Sequence, residues 1–370
     1  MNQSITRYIG MDVHKDSIAV ASVAKDHGAE VIYLGTIGTR QADIDQLVRK
    51  LQSTAKHLVF VDEAGPCGYW LSRYLTKKNL SCWVVAPSLI PKKAGARVKT
   101  DRRDAAQLAR MARSGALTVV SVPQVDEAAI RDVTRARAEA ISELKDAQFR
   151  LKAFWLRQDR RSGGRANRGP AHRRWRAEVG WPTAAQPIVF QDDVRAVQEP
   201  PARLQRLEQD LQAHVNAWRW HPVVEALQAL RGVPFMGAVT LVSASGDRTR
   251  FDNPRELRQF LGLRPSESSS GAQRRQGALT QASNTHARRT LVEGAWASRD
   301  PAKVSRPRQL RLAPPPTSLQ DIRWKAQVRL CQRDRRLVSR GTHAHVVTVA
   351  MARELAGFLW AMAREVPVTP

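Results

Sequence analysis

Arg7-Tyr8-Ile9-Gly10-Met11-Asp12-Val13 is the stretch on which the fold turns. Alternation puts Ile9, Met11 and Val13 on one face of a strand and Asp12 on the other. A carboxylate inside an apolar strand is costly unless it meets a cation or a hydrogen-bond donor. Asp16–Val23 and Val31–Ile37 read as two more strands, joined closely enough for antiparallel pairing. A helical pattern follows at Asp43–Leu51, then a buried strand at Leu58–Val61 and a helix at Tyr69–Lys77. Trp83–Ala86 reads as another strand and Asp101–Arg113 as another helix.

The resulting order, β-β-β-α-β-α-β-α, is that of an α/β domain with a ribonuclease-H-like fold. From Asp126 to about Gln158 the period changes. Ile130, Val133, Ala136, Ala140, Leu144, Ala147, Leu151 and Phe154 recur at steps of three and four, the mark of one long amphipathic helix of coiled-coil character. Arg157–Arg176 carries eight arginines and reads as a basic loop. Pro200-Pro201 marks the start of a second arm helix, Ala202 to about Trp218, giving an antiparallel coiled-coil arm. Val223 to about Trp296 reads as a compact helical segment, Pro307–Ser318 as a linker, and Ile322–Ser339 and His345–Glu365 as final helices. The tryptophans there, Trp324 and Trp360, read as core anchors.

The chain has 370 residues, with 60 Lys+Arg against 34 Asp+Glu, a formal net charge of +26. Such an excess calls for a polyanionic partner, most simply nucleic acid. A hydrophobic fraction of 42% supplies a core and argues against a disordered tail. The apolar run Val346–Trp360 is broken by Arg353 and Glu354, short of the roughly 18–20 apolar residues of a membrane span. With no signal-peptide pattern at Met1-Asn2-Gln3-Ser4, the expectation is a cytoplasmic, nucleoid-associated protein without a membrane partner. Cys67, Cys82 and Cys331 are too scattered for a disulfide framework or a zinc ribbon.

Four carboxylates carry the chemistry. Asp12 lies in mid-strand, Glu63 ends a strand before Ala64-Gly65-Pro66, and Asp101 and Asp104 share a helix face at i, i+3. Converging, they would hold hard cations, most simply two Mg²⁺ clamping a phosphoryl transfer. The structural alternative makes Asp101 a helix cap and Asp104 a first-turn acid. An actin-like ATPase begins with a similar strand but needs a second glycine-rich phosphate loop, which is not found. A second candidate is Ser266-Glu267-Ser268-Ser269-Ser270-Gly271, where a serine hydroxyl beside Arg274 and Arg275 could attack phosphorus; a plain surface loop is the alternative. Gly232 and Gly237 in Leu230-Arg231-Gly232-Val233-Pro234-Phe235-Met236-Gly237 resemble a helix-hairpin-helix turn that brings backbone N–H groups to a phosphate. Arg160, Arg161, Arg173 and Arg174 are candidates to grip a nucleic-acid backbone; His14, beside Asp12, could orient a metal-bound water, with a solvent-facing histidine as the preferred reading.

Together these strings resemble one family, the DEDD transposases of IS110-type bacterial insertion sequences, in particular its IS1111-like group. The likeness runs through Ile9–Lys15, Glu63–Gly68, Arg97–Ala105, Leu227–Gly237, the serine segment, His286-Ala287-Arg288-Arg289 and Ala352-Arg353-Glu354-Leu355. It implies a RuvC-like nuclease domain over 1–125, a coiled-coil arm over 126–222, and a helical transposase domain over 223–370. By the same resemblance Asp12, Glu63, Asp101 and Asp104 hold Mg²⁺, Ser270 (with Ser269 as runner-up) forms a phosphoserine link, and Arg288 and Arg289 contact nucleic acid. It also implies DNA and a structured, element-encoded guide RNA as partners, and a homo-oligomer, dimer or tetramer. Thr280-Gln281-Ala282-Ser283-Asn284 departs from the family's Thr-Lys-x-Gly-Asn, losing a cation and a glycine.

The alternatives are a catalytically decayed transposase that only binds DNA or RNA, and a RuvC-like Holliday-junction endonuclease needing the acidic site alone. All three readings share an electrostatic grip. Raising salt from 50 to 200 mM should therefore weaken nucleic-acid binding steeply, log K falling linearly with log salt in a filter-binding titration. A salt-independent affinity would remove phosphate contact as the main term.

Overall fold

The computed structural model describes residues 6–26, 28–91, 100–160, 174–175, 178–247, 249–270, 273–280, 284–303 and 317–368. It divides into two compact units, Met1–Pro123 and Gln124–Pro370.

The first unit is built on a six-stranded sheet, in the order β3-β2-β1-β4-β5-β6. Its strands are β1 (Thr6–Val13), β2 (Ile18–Ala24), β3 (Ile32–Ile37), β4 (His57–Glu63), β5 (Ser81–Val85) and the short β6 (Val119–Val120). β1, β2 and β3 form an antiparallel meander, whereas β1–β4 and β4–β5 pair in parallel. The final strand, β6, runs antiparallel to β5 and was not legible in the sequence. Helices α1 (Gln41–Gln52), α2 (Trp70–Lys77) and α3 (Asp101–Arg113) supply the crossovers and cover. This mixed sheet is compatible with a ribonuclease-H-like fold.

Ile9, Met11, Leu58 and Phe60 pack with Ile44, Leu47, Leu71 and Leu75 on one face of the sheet. The other face receives α3 through Val61, Val85, Leu108 and Ala112. At the centre of that face a side chain on Gly10 would meet the α3 backbone: its Cβ would lie 2.1 Å from the Ala105 carbonyl oxygen and 2.6 Å from the Ala109 nitrogen. The missing side chain is what lets α3 lie directly on β1.

In the second unit, α4 (Val125–Arg157) and α5 (Gln186–Asn216) form an antiparallel pair. Cross-links run in opposite order along the two helices: Arg137 to Glu208, Arg203 to Glu143, and Gln186 to Gln158. The sequence expectation of a helix beginning after Pro200-Pro201 is corrected here, because α5 runs through both prolines. Packing on either side holds the segment helical despite the lost N–H donors. Phe190, Val194 and Val197 pack with Phe154 and Trp155 on one side, and Leu211 and Val215 enter the main core on the other. The proposed basic loop falls largely at 161–173 and 176–177, outside the described residues.

At its base the pair joins a helical body through a buried carboxylate. Glu127 accepts from Trp220 Nε1 (2.8 Å), Arg219 Nη2 (2.5 Å) and the Gln124 amide (3.1 Å). Burial pushes its carboxyl up, but these donors outweigh it and hold the group below the ordinary glutamate value. The body comprises α6 (His221–Gln228), α7 (Phe235–Ser245), α8 (Pro254–Phe260), α9 (Thr285–Ala295), α10 (Thr317–Ser339) and α11 (Ala344–Glu365). It also holds a β7 (Pro265–Ser270)–β8 (Gln273–Leu279) hairpin, within what the sequence read as a compact helical segment.

Helix α11 has the length and apolar composition of a membrane span, yet Val347, Met351, Leu355, Leu359 and Met362 are buried in the core. Trp360 anchors there through Nε1 to the Phe251 carbonyl (2.9 Å). Trp324 does not: it is 47% exposed, because α10 turns Ala326 and Leu330 inward instead.

Gly10→Ala should cost the first unit roughly 1–3 kcal/mol, the usual range for overpacking, since helix backbone must move to admit one methyl. Urea unfolding of the variant and wild-type chains measures it; equal midpoints would show that α3 has slack at this crossing.

Candidate functional site

β1 and β4 run in parallel, with Met11 opposite Asp62. The next rung brings Asp12 and Glu63 together near the carboxyl ends of both strands, on the face that α3 covers. α3 meets this face with its first turn, which carries Asp101 and Asp104. Thr100, not Asp101, occupies the cap position, its hydroxyl accepting from the Arg103 amide (3.4 Å). The capping role considered for Asp101 is thus taken by its neighbour. A helix amino terminus also favours negative charge there.

His14 Nε2 sits 3.4 Å from Asp12 Oδ2 and 3.4 Å from Asp101 Oδ1. One donor atom from each of Asp12, His14 and Asp101 falls within 4.8 Å of the others. The Asp12 side chain is 17% exposed, whereas that of Asp101 is 60% exposed, so the cluster has an inner wall and an open mouth. Two carboxylates and an imidazole this close are a donor set suited to a divalent cation. The sequence offered two readings of His14, an orienter of a metal-bound water and a solvent-facing residue; it is exposed, and its ring also touches both carboxylates. Two residues beyond Asp12, it leaves the strand end on the same side.

Asp62 is a group that sequence reading passed over. Only 3% exposed, it lies on the opposite sheet face from Glu63. Burial, with the charges of Asp12 and Glu63 adding to it, pushes its carboxyl up to about 7, against a hydrogen bond from the Glu63 backbone. Around neutral pH it is therefore only partly ionised.

The serine segment forms β7, exposed from Ser266 to Ser270. Ser268 pairs with Arg275, Ser269 with Arg274 and Ser270 with Gln273 across the hairpin. Strand alternation sets Ser268 and Ser270 on one face and Ser269 on the other. Ser269 Oγ donates to Glu267 Oε1 at 2.9 Å.

Gly232, at φ +84°, approaches Gly294 so closely that a Cβ would lie 2.0 Å from the Gly294 carbonyl oxygen, which accounts for its lack of a side chain by packing alone. Gly237 is buried between Pro234 and Thr290. Arg288 Nη2 reaches Thr285 Oγ1 (3.3 Å), and Arg289 Nε pairs with Glu293 (2.9 Å). Beside them burial, then Arg137 and Arg289, hold His286 below the ordinary histidine value. Arg160 Nη2 donates to the Gly180 carbonyl (2.8 Å), and Arg174 is exposed. Arg161, Arg173, Gly271, Gln281 and Ser283 lie outside the described residues.

Comparison with known proteins covers the same two regions. A DEDD transposase model of IS110 type matches residues 9–158, and a model for transposases of the IS116/IS110/IS902 family matches residues 224–309. The chain is 40% identical over 358 residues to a Sinorhizobium fredii protein that carries a transposase name, y4qE, covering 97% of this chain and 88% of that protein. It is 27% identical over 333 residues to the transposase for insertion sequence element IS1533 of Leptospira borgpetersenii, covering 89% and 96%. To the transposase for IS1111A of Coxiella burnetii it is 22% identical over 306 residues, covering 79% and 77%.

Mn²⁺ binding, followed by its electron paramagnetic resonance signal, should weaken at least about tenfold in Asp12→Asn and in Asp101→Asn, and by a smaller factor in His14→Ala. Unchanged binding in both aspartate variants would detach the cluster from cation chemistry.

Proposed function

Because the chain belongs to the IS110 family of DNA transposases, we propose that it cuts and rejoins the strands at the ends of an insertion sequence through a serine–DNA intermediate. The observation that carries this is the Asp12–His14–Asp101 cluster beside Glu63 and Asp104, at the carboxyl end of two parallel strands. Bound there, a divalent cation, in our reading Mg²⁺ and as two ions, supplies charge neutralisation of the phosphate oxygens and orientation of the leaving oxygen. Asp12, Glu63, Asp101 and Asp104 hold that charge, and His14 fixes the Asp12 and Asp101 carboxylates between them.

Ser270 Oγ is the nucleophile in this reading. Its bond to phosphorus forms as the bond from phosphorus to the leaving deoxyribose oxygen breaks. The serine proton passes to water, and the leaving oxygen takes one up. The phosphoserine ester conserves the bond, so attack by a hydroxyl of another strand rejoins DNA without an outside energy source. Ser270 is preferred over Ser269 on the family's Ser-Ser-Gly motif; the Ser269 hydroxyl donates to Glu267. We further propose a structured guide RNA and a dimer or tetramer in which one copy's serine serves another's carboxylates. Family membership supports both, and the net charge of +26 suits two nucleic-acid partners at once.

The test uses cells carrying the gene with its native flanks. Junction PCR and sequencing should find the excised circular element with wild type, and none with Asp12→Ala or Ser270→Ala, while Ser269→Ala retains it. A junction in Ser270→Ala but not in Ser269→Ala would transfer the nucleophile to Ser269. Cleavage that persists in both serine variants would favour a junction endonuclease. No junction from an expressed wild-type chain would leave a nucleic-acid binder.

A further inference from the structure

A cavity of about 420 Å³ opens in the second unit between α8, α10 and α11. Four arginines line it, Arg258, Arg329, Arg333 and Arg353, against a single carboxylate, Glu354. Glu354 is already engaged: Arg329 Nε donates to its Oε2 at 2.9 Å, and Arg333 Nη1 donates to its Oε1. Arg258 and Arg353 bring two further positive charges with no carboxylate to match in the lining.

Two features set this apart from an ordinary surface charge cluster. First, Arg258 and Arg333 are partly buried where they line the cavity, so their charge is partly removed from water. Second, the Arg258 guanidinium lies against a gap in a helix. A Cβ on Gly357 of α11 would lie 2.5 Å from Arg258 Nη2. Glycine in mid-helix costs about 1 kcal/mol against alanine, and here it leaves room for a guanidinium. Burial, then the neighbouring charge of Arg353, holds Arg258 below the ordinary arginine value, although the group stays a cation. The protein thus brings like charges together and partly dehydrates them, which calls for an anion.

We propose that this cavity is a phosphate-binding site that seats a phosphodiester of a nucleic-acid backbone. Its volume lies in the range of a ligand pocket, and planar guanidinium groups suit the paired oxygens of a phosphate. The exposed Arg329 and Arg353 stand at the mouth, and the half-buried Arg258 and Arg333 line the interior. Arg353-Glu354, in the carboxyl-terminal string singled out from the sequence, thereby acquires a role. The inference rests on the reading of the chain as a nucleic-acid enzyme, and it adds an anchor distinct from the carboxylates and from the residues of the serine hairpin.

The test measures affinity and its salt dependence for a labelled DNA duplex and for an RNA of equal length, using the full chain. Compared are wild type, Arg258→Gln/Arg353→Gln, Arg353→Gln alone, and a control, Arg335→Gln/Arg336→Gln. The control removes the same charge from exposed positions of α10 outside the cavity. The cavity double variant should lose roughly tenfold or more in affinity, as charge-assisted hydrogen bonds do when removed, and lower the salt slope by about 1–2. Arg353→Gln, at an exposed position, should lower the slope by about 1 and decides the matter if the double variant does not fold. The control should fall short of both changes. Loss with only one probe names the strand type seated there. Cavity variants indistinguishable from the control would overturn the site while leaving nucleic-acid binding intact. A wild-type chain that binds neither probe would overturn the enzyme reading together with it.

Discussion

The site depends on one close contact, the backbone of α3 resting on Gly10 of β1. Asp12 lies two residues beyond Gly10, and Asp101 and Asp104 lie within a helical turn of Ala105, the residue that meets it. Strand and helix are each locally regular, and neither holds a functional site alone. Their separation at one crossing decides whether the carboxylates share a cation-sized space. A side chain at residue 10 would prise them apart through rigid backbone, so a position without functional groups sets the spacing of the carboxylate cluster.

Gathering like charges works against the fold, and the first unit limits that cost in several ways. Asp101 and Asp104 sit where a helix amino terminus offers partial positive charge. His14 stands between Asp12 and Asp101. Asp62, the deepest of the acids, gives up part of its charge near neutral pH. An arrangement that repels itself when empty and relaxes with a cation is suited to binding one.

In the second unit the same electrostatics appear with both outcomes. Glu127 is buried and fully met by Trp220, Arg219 and the Gln124 amide, so it fastens the long helix pair to the helical body. Around Glu354 the balance tips the other way, with more guanidinium groups than the carboxylate can satisfy. A buried charge that is fully paired is structural, whereas a surplus of one sign in a cavity points outward to a ligand.

Much of this was legible in the sequence. Alternation around Asp12, the i, i+3 spacing of Asp101 and Asp104, and the order of strands and helices all follow from local periodicity. The long helix at 125–157 was read the same way. Other features were not legible. β6 is two residues long and exists only because β5 is beside it. α5 continues through Pro200 and Pro201 because flanking segments of the helix are clamped against α4, overriding local propensity. The serine segment is one strand of a hairpin, Ser268 and Ser269 lying opposite Arg275 and Arg274 in backbone register. His14 joins the carboxylates, and four arginines from three helices share one cavity, through contacts between residues far apart in the chain. The sequence alone determined which residues are ionisable and on which face of a strand or helix each one lies, since these follow from period and composition. Only tertiary structure decided which of those faces meet, because that depends on long-range packing such as the close approach at Gly10.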